Sequence, residues 1–195
     1  MSLQIISKYL EQVDEEKYFN QLNNHFSEAT KILNKITKPK ENNYSIIFDI
    51  DETALSNLHF HKKGLLHRHS TMDEVVKIHI LSQATPIQPC VDFYNYAMEK
   101  GFYIFFLTGR PCKKQVVEAT ILNLENAGFY NWHNIYFAPE DTEFQLSKFH
   151  KIDTRKKIIN NGYHIFLNIG DQEGDLIGGL SEFTIKLPNP LYMLD

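Results

Sequence analysis

Cysteine is scarce in this chain: Cys90 and Cys112 are the two in 195 residues, too few for a disulfide scaffold and without the spacing of a zinc site. Cys90 is expected to open a helix and Cys112 to follow the next strand, at one end of a sheet. A bridge is geometrically allowed there, and two free thiols is the preferred reading. Long apolar runs are missing as well, so no segment reaches the length that crosses a bilayer. There is no basic excess: 20 Lys and Arg stand against 24 Asp and Glu, a formal charge of -4. That leaves no basic face to release counterions from a nucleic-acid polymer. A small anionic substrate stays open if a metal supplies local positive charge. Residues 1–10 lack a charged start followed by an apolar core, so this sequence carries no secretory signal. The compartment stays open: exported or periplasmic if a signal was removed, otherwise cytoplasmic. Internal repeats and low-complexity runs are absent, and the oligomeric state is not legible.

What is present is ordinary for a globular protein, with 43% hydrophobic and 23% charged residues in a length that suits one domain over 1–195. Ile6, Tyr9, Leu10, Val13, Phe19, Leu22, Phe26, Ile32, Leu33 and Ile36 recur at helical intervals, which predicts one or two amphipathic helices in an N-terminal segment, 1–38. "TKPKENN" breaks the pattern as a loop. Short apolar stretches follow at 44–49, 103–108, 134–138, 164–170 and 183–188, as strands buried on both faces should be. Between them lie helical spacings that end at Gly101, Gly128 and Gly162, the residue best suited to a left-handed cap. The alternation predicts an α/β fold, a Rossmann-like doubly wound parallel sheet. Residues 56–89 are far longer than a usual strand-to-helix loop and are read as a small, partly helical cap insertion.

The first strand runs into "IIFDIDETALSN". Asp49 and Asp51, two apart at a strand end, can enter one cavity, where one carboxylate attacks while the other moves a proton. The plainer alternative is helix capping. The second strand ends in "FFLTGR": Thr108, Gly109 and Arg110 offer a hydroxyl, an open backbone N–H and a cation suited to phosphoryl oxygens. Thr53 joins Gly109 and Arg110 as a candidate phosphate-binding residue. "KFHKIDTR" sets Lys151 and Arg155 on one helix face, with Lys148 and Lys156 as the lysines that could be mistaken for a functional Lys151. "LNIGDQEGDL" adds Asp171 and Asp175 beyond a glycine turn, oxygen ligands fit for a hard cation such as magnesium. Each motif alone permits a structural explanation. Their shared placement at one sheet edge does not.

These motifs, with the ending "KLPNPLYML", resemble the haloacid dehalogenase (HAD) superfamily, and within it the class B acid phosphatase branch of bacterial lipoprotein acid phosphatases and plant vegetative storage proteins. The resemblance implies a magnesium-dependent phosphomonoesterase acting on small phosphate monoesters. In it Asp49 is the nucleophile that forms an aspartyl-phosphate, and Asp51 is the acid/base. Thr108 is the hydroxyl that holds the transferring phosphoryl group, and Lys151 is the motif lysine, which with the metal offsets that group's charge. Magnesium is taken by the Asp49 carboxylate, the Asp51 backbone carbonyl and Asp171, with Asp175 behind them. Nucleoside monophosphates are one substrate class it suggests. Two departures bear on substrate preference: His150 stands where an aromatic residue usually precedes the lysine, and Glu173 follows Gln172 where relatives often carry tryptophan. The alternatives are a catalytically weak storage or binding protein of the same fold, and phosphotransfer to an alcohol.

The insertion holds His59, His61, His67 and His69 in "HFHKKGLLHRH". A solvated basic surface is the plain reading, and a second metal site is the rarer one. Between them, Phe60 with one or two histidines would line the leaving-group pocket, and protonation below about pH 6.5 would favour anionic substrates.

Overall fold

A computed structural model of the protein describes residues 13–37, 39–67, 70–140 and 147–193. Ile6, Tyr9 and Leu10 of the N-terminal reading, and His69, lie outside the described residues. The first helix, α1 (Glu15–Leu33), starts where the Asp14 carboxylate accepts the Lys17 N–H at 2.9 Å, with Glu15 and Glu16 favourably placed against the helix dipole. Tyr18, Leu22, Phe26, Ala29 and Leu33 form its buried stripe. Phe26 meets Phe93 with ring centroids 5.6 Å apart, which seats α1 on α4 (Gln88–Glu99). Each large side chain so buried contributes about 1.5–3 kcal/mol.

Five parallel strands carry the fold: β1 (Tyr44–Phe48), β4 (Tyr103–Pro111), β5 (Asn134–Ala138), β6 (His164–Gly170) and β7 (Phe183–Lys186), in the order β5-β4-β1-β6-β7. Side chains alternate across the sheet. Ile46, Phe48, Ile104 and Phe106 pack in the larger core with α1 and α4, joined there by Leu124 of α5 (Lys114–Asn126). Ile47, Phe105 and Leu107 face the other way, onto Ile158 of α6 (Ser147–Asn160). Helices on both faces make this the expected doubly wound α/β architecture, and β1 at its centre is buried on both sides.

The strands' carboxyl ends define one edge. β4 runs three residues beyond the predicted end at Thr108, because its register with β5 breaks after Leu107 and resumes at Pro111 opposite Ala138. Thr108, Gly109 and Arg110 therefore sit in an irregularity that re-aims them, as bulges beside sites commonly do. β7 stops at Lys186, before Pro188, which has no N–H to give.

The insertion is clipped at its base by an antiparallel ladder of β2 (Leu55–Ser56) with β3 (Thr85–Pro86). Between them lie α2 (Leu58–Lys62) and α3 (Met72–Ile80). Thr71 and Glu74 form a capping box at the start of α3. Phe60, Leu66, Ile78 and Val75 make a small core of their own. The returning chain is tied to α5 by Asn123, whose side chain accepts the Ala84 N–H at 3.0 Å and donates to the Ala84 carbonyl at 2.8 Å.

One glycine is set by close approach. A Cβ on Gly170 would fall 2.5 Å from the Asp175 carboxylate, which is itself buried and bonded in place. Gly170→Ala is expected to cost about 1–3 kcal/mol of stability as an overpacked site, seen as a lower thermal midpoint. An unchanged midpoint would mean that Asp175 moves aside freely.

Candidate active site

At the edge where β1, β4 and β6 end, four ionisable side chains, Asp49, Lys151, Asp171 and Asp175, are buried together. Asp49 follows β1, and its Oδ1 accepts the Lys151 ammonium at 2.6 Å; the same ammonium reaches Asp175 Oδ1 at 2.5 Å. Lys151 comes from the first turns of α6, as the four-residue spacing to Arg155 implies. Arg155, on the same face, donates to the Asp175 carbonyl at 2.6 Å and to the Ile177 carbonyl. Asp175 belongs to the short helix α7 (Glu173–Leu176), where its Oδ2 accepts the Gln172 N–H at 2.8 Å. Asp171, just past Gly170, is 1% exposed. Its Oδ2 accepts from the Asn189 amide at 2.7 Å and from Gln172, and the Thr53 hydroxyl donates to Oδ1 at 3.4 Å.

Oxygens of Asp49, Asp171 and Asp175 lie within 4.8 Å of one another. One ammonium faces three carboxylates, so the cluster carries uncompensated negative charge in a dry setting. Burial pushes the Asp49 carboxyl well above the usual range, against the pull of Lys151, with Asp175 and Asp171 adding to the rise. Burial, then Asp175 and Glu52, lift Asp171 to about 7. A hard divalent cation relieves that charge and takes oxygen ligands of this kind. The residues fit a metal ion.

Asp51 is differently placed. The Arg110 guanidinium clamps it with two bonds, Nε to Oδ2 at 2.9 Å and NH2 to Oδ1 at 2.7 Å, and the Asn57 amide adds a third at 2.8 Å. His79 of α3 stands 3.6 Å away. Burial pulls the Asp51 carboxyl upward, but Arg110 and then His79 and the hydrogen bonds outweigh it and hold the group below the usual carboxylate range. Arg110 is 2% exposed, and its remaining bond goes to the Thr120 hydroxyl at 3.0 Å.

A cavity of about 360 Å³ opens above, bounded by Asp49, Asp51, Gly109, Arg110, Lys151 and Asp171 on one side and by insertion residues His61, Leu66, His67 and Val75 on the other. Thr108 and Thr53 are fully buried and lie outside the cavity wall. The Thr108 hydroxyl accepts the Arg110 N–H at 3.1 Å. Phe60 is also outside the wall, in the insertion's own core. Lys148 reaches the cavity rim, whereas Lys156 pairs with Asp153 at 3.0 Å on the surface. Glu173 brings its charge to the wall, and His150 is half-buried away from it.

His61 and His67 do line the cavity. His61 cannot supply charge near neutrality, because burial, then His67, lower it to about 4, so it stays neutral between pH 5 and 7. Expected protonation near pH 6.5 is corrected for that residue by its desolvation. Among the described residues the metal-spaced cluster is the aspartate trio, and the insertion's histidines form none. Cys90 is buried, Cys112 is exposed, and both are free thiols.

Several residues of this site carried no role in the sequence reading: Glu52, Asn57, His79, Asn189 and Tyr192. Glu52 has a left-handed backbone (φ 55°) and is fully buried. It accepts the Asn57 N–H and the Tyr192 hydroxyl, both at 2.6 Å, and burial, then Asp51, raise it to about 7. Asn57, Asn189 and Tyr192 sit inside the quoted stretches "DIDETALSN" and "KLPNPLYML", so position within a motif was their signal. His79 had none.

A family profile described as HAD superfamily, subfamily IIIB (acid phosphatase) matches residues 3–195. The chain belongs to that family. The Stem 28 kDa glycoprotein of Glycine max is 38% identical over 157 residues, covering 77% of this chain and 60% of that protein. Acid phosphatase 1 of Solanum lycopersicum is 34% identical over 76% of this chain and 58% of that one. Vegetative storage protein 1 of Arabidopsis thaliana is 30% identical over 75% and 54%. The matched part thus spans less than two thirds of these relatives' length. Among solved structures, the class C acid phosphatase of Bacillus anthracis superposes with a TM-score of 0.72 at 19% identity, covering 98% of this chain and 85% of that one. That likeness establishes the HAD fold. No helix among the described residues is long and apolar enough to cross a membrane.

The raised carboxylates fix the sign of a metal effect. Asp171, lifted to about 7, binds a proton more tightly folded than unfolded, so the metal-free protein gains stability as pH falls from above 7 toward the unfolded carboxylate range. A cation competes with that proton. Magnesium is therefore expected to raise the unfolding midpoint more at pH 7.5 than at pH 5.5. A hundredfold excess over Kd gives about 2.7 kcal/mol, or about 5–10 °C for a domain of this size. Equal shifts, or none, would count against the carboxylate trio as the cation site.

Proposed function

We propose that the protein is a magnesium-dependent phosphomonoesterase of the acid phosphatase type, hydrolysing small phosphate monoesters through an aspartyl-phosphate on Asp49. One observation carries this reading: Asp49, held by Lys151, faces a cavity beside two further buried carboxylates at the end of the central strand. A carboxylate so buried has little use as a structural cap. Its position facing the cavity supports the reading as a nucleophile.

In the first half-reaction an Asp49 oxygen forms a bond to phosphorus while the bond from phosphorus to the ester oxygen breaks, and the leaving oxygen takes a proton from Asp51. In the second, water attacks the same phosphorus, gives its proton to Asp51, and releases Asp49 and inorganic phosphate. The clamp of Arg110 on Asp51 matches the second step, where an ionised Asp51 is needed as a base. For the first step Asp51 must be freed, and phosphoryl oxygens entering beside Gly109 and Arg110 compete for the same guanidinium. Lys151 and Arg110 offset charge on the transferring group. Asp49, Asp171 and the Asp51 carbonyl, with Asp175 behind them, would hold magnesium, which when bound would offset the repulsion between a carboxylate and a phosphate. Thr108, from beneath the floor, sets the backbone of Arg110.

The cavity takes more than a phosphate group, so aryl esters and nucleoside monophosphates are the substrates to try. The storage reading draws on relatives named vegetative storage proteins, but Asp49, Asp51, Lys151 and Asp171 all stand assembled here, which favours turnover. Transfer to an alcohol instead of water is the remaining variant.

Phosphate release from an aryl phosphate and from nucleoside monophosphates, at pH 5 to 7.5 with magnesium or EDTA, is expected to be magnesium-dependent. Asp49→Asn should lower it by at least about a thousandfold. A new phosphate ester on adding an alcohol would mark phosphotransfer. Folded, magnesium-loaded protein that turns over none of these esters would shift the assignment to storage or binding.

A further inference from the structure

Beyond β7 the chain does not leave the site; it returns across it. Leu187 donates its N–H to the Gly170 carbonyl at 2.9 Å, and the Lys186 ammonium reaches the Asp171 carbonyl at 2.5 Å. Asn189 follows, with Pro188 before it and Pro190 after it. Two prolines fix their own φ and restrict the residue ahead of each, so Asn189 is presented by a stiff segment with little entropy left to lose. Its side-chain oxygen is already committed, accepting the Leu191 N–H at 2.8 Å and the Tyr192 N–H at 3.3 Å. That commitment fixes which way the amide points: the Nδ2 end must face Asp171, where it meets Oδ2 at 2.7 Å. Oδ1 of Asp171, with one long contact to Thr53, is left as the less committed oxygen.

The far end of the segment is anchored twice. Leu191 is buried against Leu58 of the insertion. The Tyr192 hydroxyl donates to Glu52 at 2.6 Å, and its ring stacks on His61 with centroids 5.6 Å apart and planes at 26°. Glu52 is in turn bonded to Asn57, which holds Asp51. One short stretch thus touches the Asp171 turn, the loop after β1 and the base of the insertion.

We propose that Leu187–Tyr192 is a positioning strap for the metal-ligating carboxylate Asp171, in which Asn189 orients that carboxylate and Tyr192 locks the strap to Glu52; this rests on the reading of the site as cation-dependent. Neither residue touches reacting atoms for this purpose. Partners that orient metal ligands of this kind typically cost 10- to 100-fold in metal affinity when removed.

The test compares wild type, Asn189→Ala, Tyr192→Phe and the Asn189→Ala/Tyr192→Phe double variant. The readout is the magnesium concentration that half-saturates the rise in unfolding midpoint, alongside kcat and KM for an aryl phosphate as magnesium is varied. Asn189→Ala is expected to raise that concentration by about tenfold or more. Tyr192→Phe should raise it by a few fold, and the double variant should match Asn189→Ala alone, because both changes release one strap. If Asn189→Ala does not fold, Asn189→Ser carries the same expectation. A folded Asn189 variant with an unchanged magnesium midpoint overturns the proposal, as do additive effects in the double variant or a wild type that gives no magnesium shift. A wild type that binds magnesium yet hydrolyses no ester removes the phosphatase reading and leaves the strap standing.

Discussion

The Lys151 ammonium between Asp49 and Asp175 is the contact on which the rest of this edge depends. Burying one lysine and two aspartates carries a desolvation cost of several kcal/mol per ion, and only good geometry and further hydrogen bonds offset it. The fold supplies both. α6 begins at the carboxyl edge of the sheet, so Lys151 arrives beside the end of β1. Arg155, one turn on, bonds the Asp175 carbonyl, which also accepts the Asn168 amide at 2.9 Å. At this edge β1, β6, α6 and α7 are thereby tied by charge and hydrogen bonds, in addition to the apolar packing of Ile47, Ile158 and Ile165. Replacing such a cluster with hydrocarbon is often neutral or stabilising in other proteins. Stability is therefore a poor reason for it to exist, and chemistry a better one.

Two cations divide the acids between them. Arg110 takes Asp51 in a planar fork, and Lys151 takes Asp49 as a point charge. Arginine suits the first task because its donors match both carboxylate oxygens at once. The outcome is a pair of carboxylates two residues apart whose proton affinities are driven in opposite directions, Asp49 upward by burial and Asp51 downward by Arg110. Without a cation this separation runs opposite to what the proposed chemistry needs, since Asp49 has to be ionised to attack; a bound divalent ion beside Lys151 would favour that ionised form. The separation also exposes a condition on any turnover: an Asp51 clamped as a carboxylate is a ready base but not an acid, so a competitor for Arg110 has to arrive with the substrate. A phosphoryl group is such a competitor.

How much of this was legible in the sequence follows from the range of each interaction. The strands at 134–138 and 164–170 match the observed ones end for end, because a buried parallel strand advertises itself as an unbroken apolar run. β4 was cut short at Thr108, since the break in its pairing with β5 is a tertiary event that no local pattern encodes. Asp49, Lys151 and Asp171 could be placed together because each follows or precedes a central strand, where topology dictates position. Arg110, expected to meet phosphate, lines the cavity and also clamps Asp51, a contact settled by a side-chain rotamer that no local pattern encodes. Phe60 turned inward because the insertion needs a core of its own, and within so few residues its largest ring is the natural candidate. His79 lies on an insertion helix whose approach to Asp51 depends on how α3 packs on α5, and nothing in its spacing reveals that.

The insertion also changes where positive charge comes from. A histidine-rich stretch over an anionic ligand suggests a proton-driven attraction, but the same closeness that brings His61 into the wall removes its water, and desolvation disfavours the imidazolium. His79, drier still, is lowered to about 3 by burial and then by Arg110, despite Asp51 beside it. Both rings therefore act near neutrality as neutral surfaces, one stacked on Tyr192 and one against the Asp51 clamp. For the proposed ester, the cationic attraction falls to Arg110, Lys151 and whatever ion the aspartates hold, with Lys148 at the rim. The insertion's wall, with Leu66, His67, Val75 and the His61 ring, is on that proposal the surface that meets the leaving group. Under the proposed function, recognition of the phosphate and of the rest of the molecule are built on separate parts of the chain, and the strap through Asn189 and Tyr192 is where the two are mechanically joined.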